Sequence, residues 1–272
     1  MSYAKQGQPY TDDEVALMYK LANTMSYKNM AQYFNRSASS IKRQFNKLGI
    51  RNDLRSNYKR LTTLNDSVFN EITPESSYWA GLLAADGCLK KHGRAFSIEL
   101  QAKDELHLGK LLEYLESDGC VGYRSIKEMD GRNLYASLNV TSTEIIEALK
   151  SNFNLKPKKS LDLEPPIIKE IKCREAFMLG LFDGDGNISR TVDGQLVAGF
   201  TTASKNMALW FLEEVKRILG KSEHPITTRK NEKGNEYYHI PLHTLEASRF
   251  LAKLYSAVEL GLVRKFRIYD AQ

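Results

Sequence analysis

The chain contains one unit twice. The stretch YWAGLLAADG at residues 78–87 returns as FMLGLFDGDG at 177–186, which places Gly180 over Gly81, Leu181 over Leu82, Asp185 over Asp86 and Gly186 over Gly87 at an offset of 99. Downstream, GFTTASKNMALWFL lies over ELQAKDELHLGKLL at an offset of 100, matching Phe200 to Leu100 and Ser204 to Asp104. NEYYHIPLHTLEASRFL then lies over NLYASLNVTSTEIIEAL at 102, matching Tyr237 to Tyr135 and Glu246 to Glu144. An offset that drifts this slowly marks a duplicated domain with small loop changes, and it obliges both parts to share one architecture.

Within a copy the pattern alternates between helix and hairpin. In AFSIELQA, Phe96, Ile98, Leu100 and Ala102 face one way and Ser97, Glu99, Gln101 and Lys103 the other, the period of a half-buried strand. LYASLNV repeats that pattern, DELHLGKLLEYLESDG and STEIIEALKSNF read as amphipathic helices, and DG at 130–131 marks a hairpin turn. The expected class is α+β: two pseudo-symmetric αββαββα copies preceded by a small all-α domain. The boundaries fall as a helical domain over 1–50, a polar linker over 51–73, a first copy over 74–155, a linker over 156–173 and a second copy over 174–272.

Asp86 is an awkward residue for its own helix. Peptide dipoles leave partial negative charge at a helix C-terminus, so an acid there is disfavoured by a few tenths of a kcal/mol to about 1 kcal/mol. Gly87 fits the positive φ common just after a helix. The duplication makes two such acids. Gly81 and Ala85, and likewise Gly180 and Gly184, recur four apart and line one face of each helix, where backbones can approach closely. If the two helices pair about a pseudo-twofold axis, Asp86 and Asp185 arrive at the same end. Neighbouring carboxylates stay ionised most readily with divalent cations between them. Hard cations with carboxylate, water and phosphate ligands are Mg²⁺ or its relatives, and such sites serve phosphodiester chemistry.

Charge is concentrated at the other end of the chain. Residues 1–73 hold 11 Lys/Arg and 6 Asp/Glu, nearly all of the net +6. Three helical patterns occupy this segment, with cap signals at Thr11, Ser26 and either Ser37 or Ser39, and with Ile41, Phe45 and Leu48 as one buried stripe. The remaining faces show Ser40, Lys42, Arg43 and Lys47, flanked by Arg36 and Arg51. This points to a helix-turn-helix unit with residues 39–48 as recognition helix, set on nucleic acid.

GLLAADG and GLFDGDG, each opening a helix-hairpin-helix-hairpin copy, resemble the paired motifs of single-chain LAGLIDADG homing endonucleases. The resemblance covers roughly residues 68–270, including the basic tails LKPKKS and GLVRKFR. It implies four hairpins forming a β-saddle in the DNA major groove, and a metal-dependent double-strand cut with 3′ overhangs at a long asymmetric site. The implied metal site is Asp86 and Asp185 with Ala85 and Gly184 beside them, holding Mg²⁺, for which Mn²⁺ or Ca²⁺ can substitute in binding. Further catalytic candidates are Asp104 and Ser204, near the end of the second strand of each copy, with Lys103 alongside, and His243. The family's lysine near the end of the fourth strand is absent, since Thr141 and His243 stand there. Asp183, where the first motif has Ala84, is expected to cap or to contact the linker.

Base reading is expected from strand residues Arg94, Gln101, Arg124, Lys127, Arg132, Asn139, Arg190, Gln195, Thr201, Arg229 and Tyr237. Lys158 and Lys265, in the closing tails, are candidate phosphate contacts. The expected partner is double-stranded DNA, bound by one chain acting as a pseudo-dimer. Two rivals share the fold: a transcription regulator that binds DNA without cutting, and an intron maturase that binds RNA. No apolar run approaches the roughly 18 residues of a membrane span, and the N-terminus lacks a signal-peptide core. Cys88, Cys120 and Cys173 fit neither a disulfide framework nor a zinc site. The expected compartment is therefore a cytoplasm or organellar matrix, and not the exterior.

Overall fold

The computed structural model describes residues 8–22, 24–52, 63–91, 93–128, 131–157, 162–230 and 234–271. Helix α1 (Asp12–Leu21) starts at a capping box in which Thr11 and Glu14 each satisfy the other's backbone N–H. Helix α2 (Tyr27–Tyr33) is capped by Ser26 and α3 (Ala38–Lys47) by Ser37, so the first of the two serines opens the third helix. Met18, Leu21, Met30, Phe34, Ile41 and Phe45 form their shared core, which Tyr123 and Leu134 help to cover.

The first copy runs α4 (Pro74–Ala85), β1 (Gly87–Leu89), β2 (Ala95–Gln101), a 3-10 turn (Ala102–Asp104), α5 (Glu105–Tyr114), β3 (Gly122–Glu128), β4 (Gly131–Thr141) and α6 (Thr143–Phe153). The second runs α7 (Ile171–Asp185), β5 (Gly186–Arg190), β6 (Leu196–Thr202), α8 (Lys205–Leu219), β7 (Thr227–Lys230), β8 (Glu236–His243) and α9 (Thr244–Tyr255). Both four-stranded sheets have the same order, β1-β2-β4-β3 and β5-β6-β8-β7, as the duplication requires. Phe96, Ile98 and Leu100 point into the core as the alternation predicts. One element was not foreseen: the tail GLVRKFR forms a further helix, α10 (Val263–Asp270), whose Phe266 meets the Tyr255 ring edge-on and whose Tyr269 ring lies tilted against it.

By its contacts the chain divides into two compact units, residues 1–64 with 99–138 and residues 65–98 with 139–272. The helix pair α4 and α7 lies in the second. The two helices meet backbone to backbone. A Cβ at Gly81 would lie 2.1 Å from the Phe177 carbonyl oxygen, and one at Gly180 would lie 2.0 Å from that of Tyr78. Glycine in a helix costs about 1 kcal/mol relative to alanine, and here the cost is offset by contact that no side chain permits. Both helices are buried nearly all round, with Tyr78, Trp79, Phe177 and Phe182 fully enclosed.

Two outcomes follow for stability. Gly180→Ala is expected to lower the unfolding free energy by about 1–3 kcal/mol or more, because backbone rather than a flexible side chain must move. Gly109→Ala, in α5 with open space around it, is expected to raise it by about 0.5–1 kcal/mol; equal effects in urea titrations would refute the packing argument. In the other unit, burial and then Lys110 push the imidazole of His107 down to about 3. A lowered folded value means that stability is fully present above the unfolded pKa near 6.5 and is lost as pH falls towards 3. His107→Leu is expected to flatten that part of the stability profile in denaturation at pH 4 to 7.

Candidate active site and nucleic-acid face

Asp86 occupies the C-cap of α4, exposed, with its N–H on the Leu82 carbonyl at 2.9 Å. The next residue already begins β1, where Gly87 pairs with Ile98. Asp185 is likewise exposed at the end of α7, and Gly186 begins β5 opposite Phe200. Gly87 has a different reason from the one expected, and Gly186 shares it. Neither has positive φ. A Cβ at Gly87 would lie 2.6 Å from the Leu83 carbonyl oxygen, and one at Gly186 would lie 2.4 Å from that of Phe182. The strand folds back so sharply beneath the helix end that only hydrogen fits.

The small residues bring the two ends together. A Cβ at Gly184 would fall 2.2 Å from Ala85 Cβ and 3.2 Å from Asp86 Oδ2, so the Asp86 carboxylate rests against the turn that precedes Asp185. Asp185 also lines an open cleft with Ala84, Ala85, Thr201 and Tyr237. Exposed carboxylates leave coordination positions for water and phosphate oxygens, which suits a hard divalent cation. Among the described residues no group of three or more His, Cys, Asp or Glu side chains is placed to hold a metal.

Beneath the acids lies a buried polar cluster. Asp183, rather than capping or reaching a linker, is fully buried and accepts from Tyr78 Oη at 2.8 Å and from the Leu262 N–H at 2.9 Å. Burial raises its carboxyl to about 6, against the opposing pull of Lys265 and these two hydrogen bonds. Lys265 is no phosphate contact: it is buried, and its Nζ donates to the Phe182, Asp183 and Gly186 carbonyls. Burial lowers its ammonium to about 8, opposed by attraction to Asp183, Asp86 and Asp185.

The other candidates are scattered in role. Ser204 is buried as the N-cap of α8, accepting from the Met207 N–H and donating to the Leu163 carbonyl at 2.6 Å. Asp104 is buried at the end of the 3-10 turn beside exposed Lys103, and His243 is exposed at the start of α9 without a side-chain cap bond. Arg190, expected on the base-reading face, instead binds the Ile268, Tyr269 and Ala271 carbonyls at the end of α10. Gln195 accepts from the Thr244 hydroxyl. Arg124 pairs with Glu99 at 2.7 Å, while Arg94, Gln101 and Asn139 are exposed. Lys127 and Arg132 stand opposite each other in the β3–β4 register; their side chains, and Lys158 entirely, lie outside the described residues.

On one face of the second sheet, register aligns Asn187 with Gly199, Thr201 with His239, and Arg229 with Tyr237. His239 was missed from sequence. Its Nδ1 shares a hydrogen bond with Thr201 Oγ1 at 3.0 Å, and its ring fills the space over Gly199. Burial, then Arg229 and His243, lower its pKa. A glycine inside a strand was the available signal, since it marks close approach by a neighbour.

In the N-terminal helices Lys42, Arg43, Lys47 and Arg51 are exposed, and Ser40 shares a hydrogen bond with the Tyr10 hydroxyl. Arg36 does not belong with them. It is buried, pairs with Glu14 at 3.0 Å, donates to the Gln8 and Pro9 carbonyls, and lies over the Tyr10 ring. Breaking such a pair from one side leaves a buried charge and costs about 3–5 kcal/mol. Arg36→Met is therefore expected to lower the melting temperature of the N-terminal helices, and Lys42→Ala to leave it within a degree or two; circular dichroism melts that rank them the other way would refute the assignment.

The model of the LAGLIDADG-like domain family matches the chain twice, over residues 73–154 and 172–255. Comparison of the sequence with curated proteins finds no match. Among solved structures, the chain is similar to full-length DUF199/WhiA from Thermatoga maritima, with 14% identity over 76% of this chain and 66% of that one at a TM-score of 0.44. The chain thus spans just under two thirds of that protein. It is also similar to the homing endonuclease I-WcaI bound to its DNA recognition sequence, with 12% identity over 82% of this chain and 95% of that one at 0.48. The N-terminal LAGLIDADG domain of DUF199/WhiA gives 13% identity over 77% and 98% at 0.43. Among the described residues no helix is long and apolar enough to cross a membrane.

Proposed function

Because the chain belongs to the LAGLIDADG-like domain family, we propose that it is a site-specific DNA endonuclease that hydrolyses both strands of a long asymmetric target. One observation supports this reading above the others: two exposed acids terminate two helices in backbone contact, with the Asp86 carboxylate against the turn that carries Asp185. A DNA-binding regulator has no need of either acid at a helix end that disfavours it.

In this reading Asp86 and Asp185 hold Mg²⁺, each serving one strand. The bound cation would supply an activated water and would stabilise charge on the leaving oxygen. The chain's own residues do the rest. Gly81, Gly180 and Gly184 fix the separation of the acids, and the cleft beside Asp185 admits a phosphodiester between Thr201 and Tyr237. Thr201, Tyr237, Arg229 and His239 on one sheet face, with Gln101, Arg124 and Asn139 in the first copy, present polar edges to the major groove. Lys42, Arg43 and Lys47 on α3 add phosphate contacts. A single chain suffices, since both acids are in it.

Purified protein with Mg²⁺ is expected to cut DNA carrying its target site. Asp86→Asn or Asp185→Asn is expected to abolish double-strand cutting and to retain binding in gel shifts. Specific binding without cutting by the unmodified protein would replace this reading with the regulator. Lys42→Ala and Arg43→Ala are each expected to reduce the slope of log affinity against log salt by about 1, which binding titrations from 50 to 200 mM salt would measure.

A further inference from the structure

The end of α7 is gripped by a side chain from outside both motifs. Lys265 on α10 aims its Nζ at the carbonyls of Phe182 at 2.5 Å, Asp183 at 2.8 Å and Gly186 at 2.5 Å. An ammonium has three donors, so these contacts use all of them. The carbonyls bracket Asp185, two before it and one after. The Phe182 carbonyl also accepts the Gly186 N–H that closes the last turn of α7, and a cation is the favourable charge beside a helix C-terminus.

The grip is itself anchored. Asp183 accepts the Leu262 N–H, which ties the residue before α10 to α7, and the same oxygen accepts from Tyr78 of α4. Lys265 is 2% exposed, so it touches neither solvent nor a substrate phosphate. We infer that Lys265 is a positioning residue for Asp185: by holding the backbone on either side of the acid, it sets the direction in which that carboxylate leaves the helix end. The inference rests on the endonuclease reading for its catalytic consequence.

All three carbonyls belong to the second copy, so the grip acts on one motif. If each acid serves one strand, loosening it slows one cut more than the other. A general loss of stability would slow both together, and so would loss of charge, because the ammonium is attracted to Asp86 as well as to Asp185. Strand bias therefore separates positioning from a merely structural role.

The test uses the full chain and Lys265→Met, which keeps the buried stem and removes the donors, with Lys265→Arg as the conservative variant. End-labelled target DNA reports each strand, and Asp185→Asn identifies the strand that depends on Asp185. In Lys265→Met that strand is expected to slow at least tenfold more than its complement, with DNA affinity within twofold of the unmodified protein; Lys265→Arg is expected to recover part of the bias. Amide hydrogen exchange gives a readout free of activity: residues 184–187 are expected to exchange at least tenfold faster in Lys265→Met, and residues 85–88 and helix α9 at the original rate. Equal slowing of both strands, or unchanged exchange at 184–187, overturns the inference. Failure of the unmodified protein to cut overturns the endonuclease reading instead, and the exchange result still decides whether Lys265 holds the turn.

Discussion

The backbone contact between α4 and α7 governs the rest of the second unit. Gly81 sits against the Phe177 carbonyl and Gly180 against that of Tyr78, each at a separation that excludes even a methyl group. Because contact is made by main chain, the relative height of the two helices is fixed within a fraction of a turn, and their ends cannot slide independently. The rings of Phe177 and Phe182 are fully buried, the first against Phe153 and Trp210 and the second against Phe250. What leaves the seam at its end, Asp86 on one helix and Asp185 on the other, is placed by the same contact. The sheets start from that point too, since each first strand begins at the residue after its acid.

Much of this architecture was legible because duplication is a constraint on the whole chain. The slow drift of the offset reappears in the elements: each helix and strand of the first copy has its counterpart, and the two sheets share one strand order. Alternation in AFSIELQA and the caps at Thr11 and Ser26 are local signals, set by neighbours within a few residues, and they read correctly. The four-residue spacing of small side chains likewise foretold a close helix pair.

The misplaced residues share a physical reason. Arg36, Arg190 and Lys265 look like surface cations in sequence, yet each ends on backbone carbonyls far along the chain: Arg36 on Gln8 and Pro9, Arg190 on Ile268 and Tyr269, Lys265 on Phe182 and Asp183. A long cationic side chain buries its stem as readily as it solvates it, and only the fold decides whether a backbone carbonyl waits at its tip. Gly87 differs for another reason, which Gly186 shares. Glycine after a helix suggests a left-handed turn, but steric exclusion by Leu83 and Phe182 is an equally good reason for losing a Cβ, and sequence cannot separate the two.

The two motifs also differ in a way that bears on their electrostatics. Both present an acid at a helix end whose dipole opposes it, so both ends store unfavourable charge. In the second copy Asp183 adds another carboxylate, buried, two residues before the first, where the first copy has Ala84. A second negative charge would worsen the repulsion if it stood alone. It is held instead by Tyr78 and Leu262 and balanced by the buried ammonium of Lys265, whose remaining attraction reaches Asp185 and Asp86. The same ammonium closes the carbonyls that carry the negative end of the dipole. One cation thus offsets the buried acid, the helix end and part of the charge on the exposed pair, and the Asp183 position breaks the pseudo-twofold symmetry directly beneath the two acids.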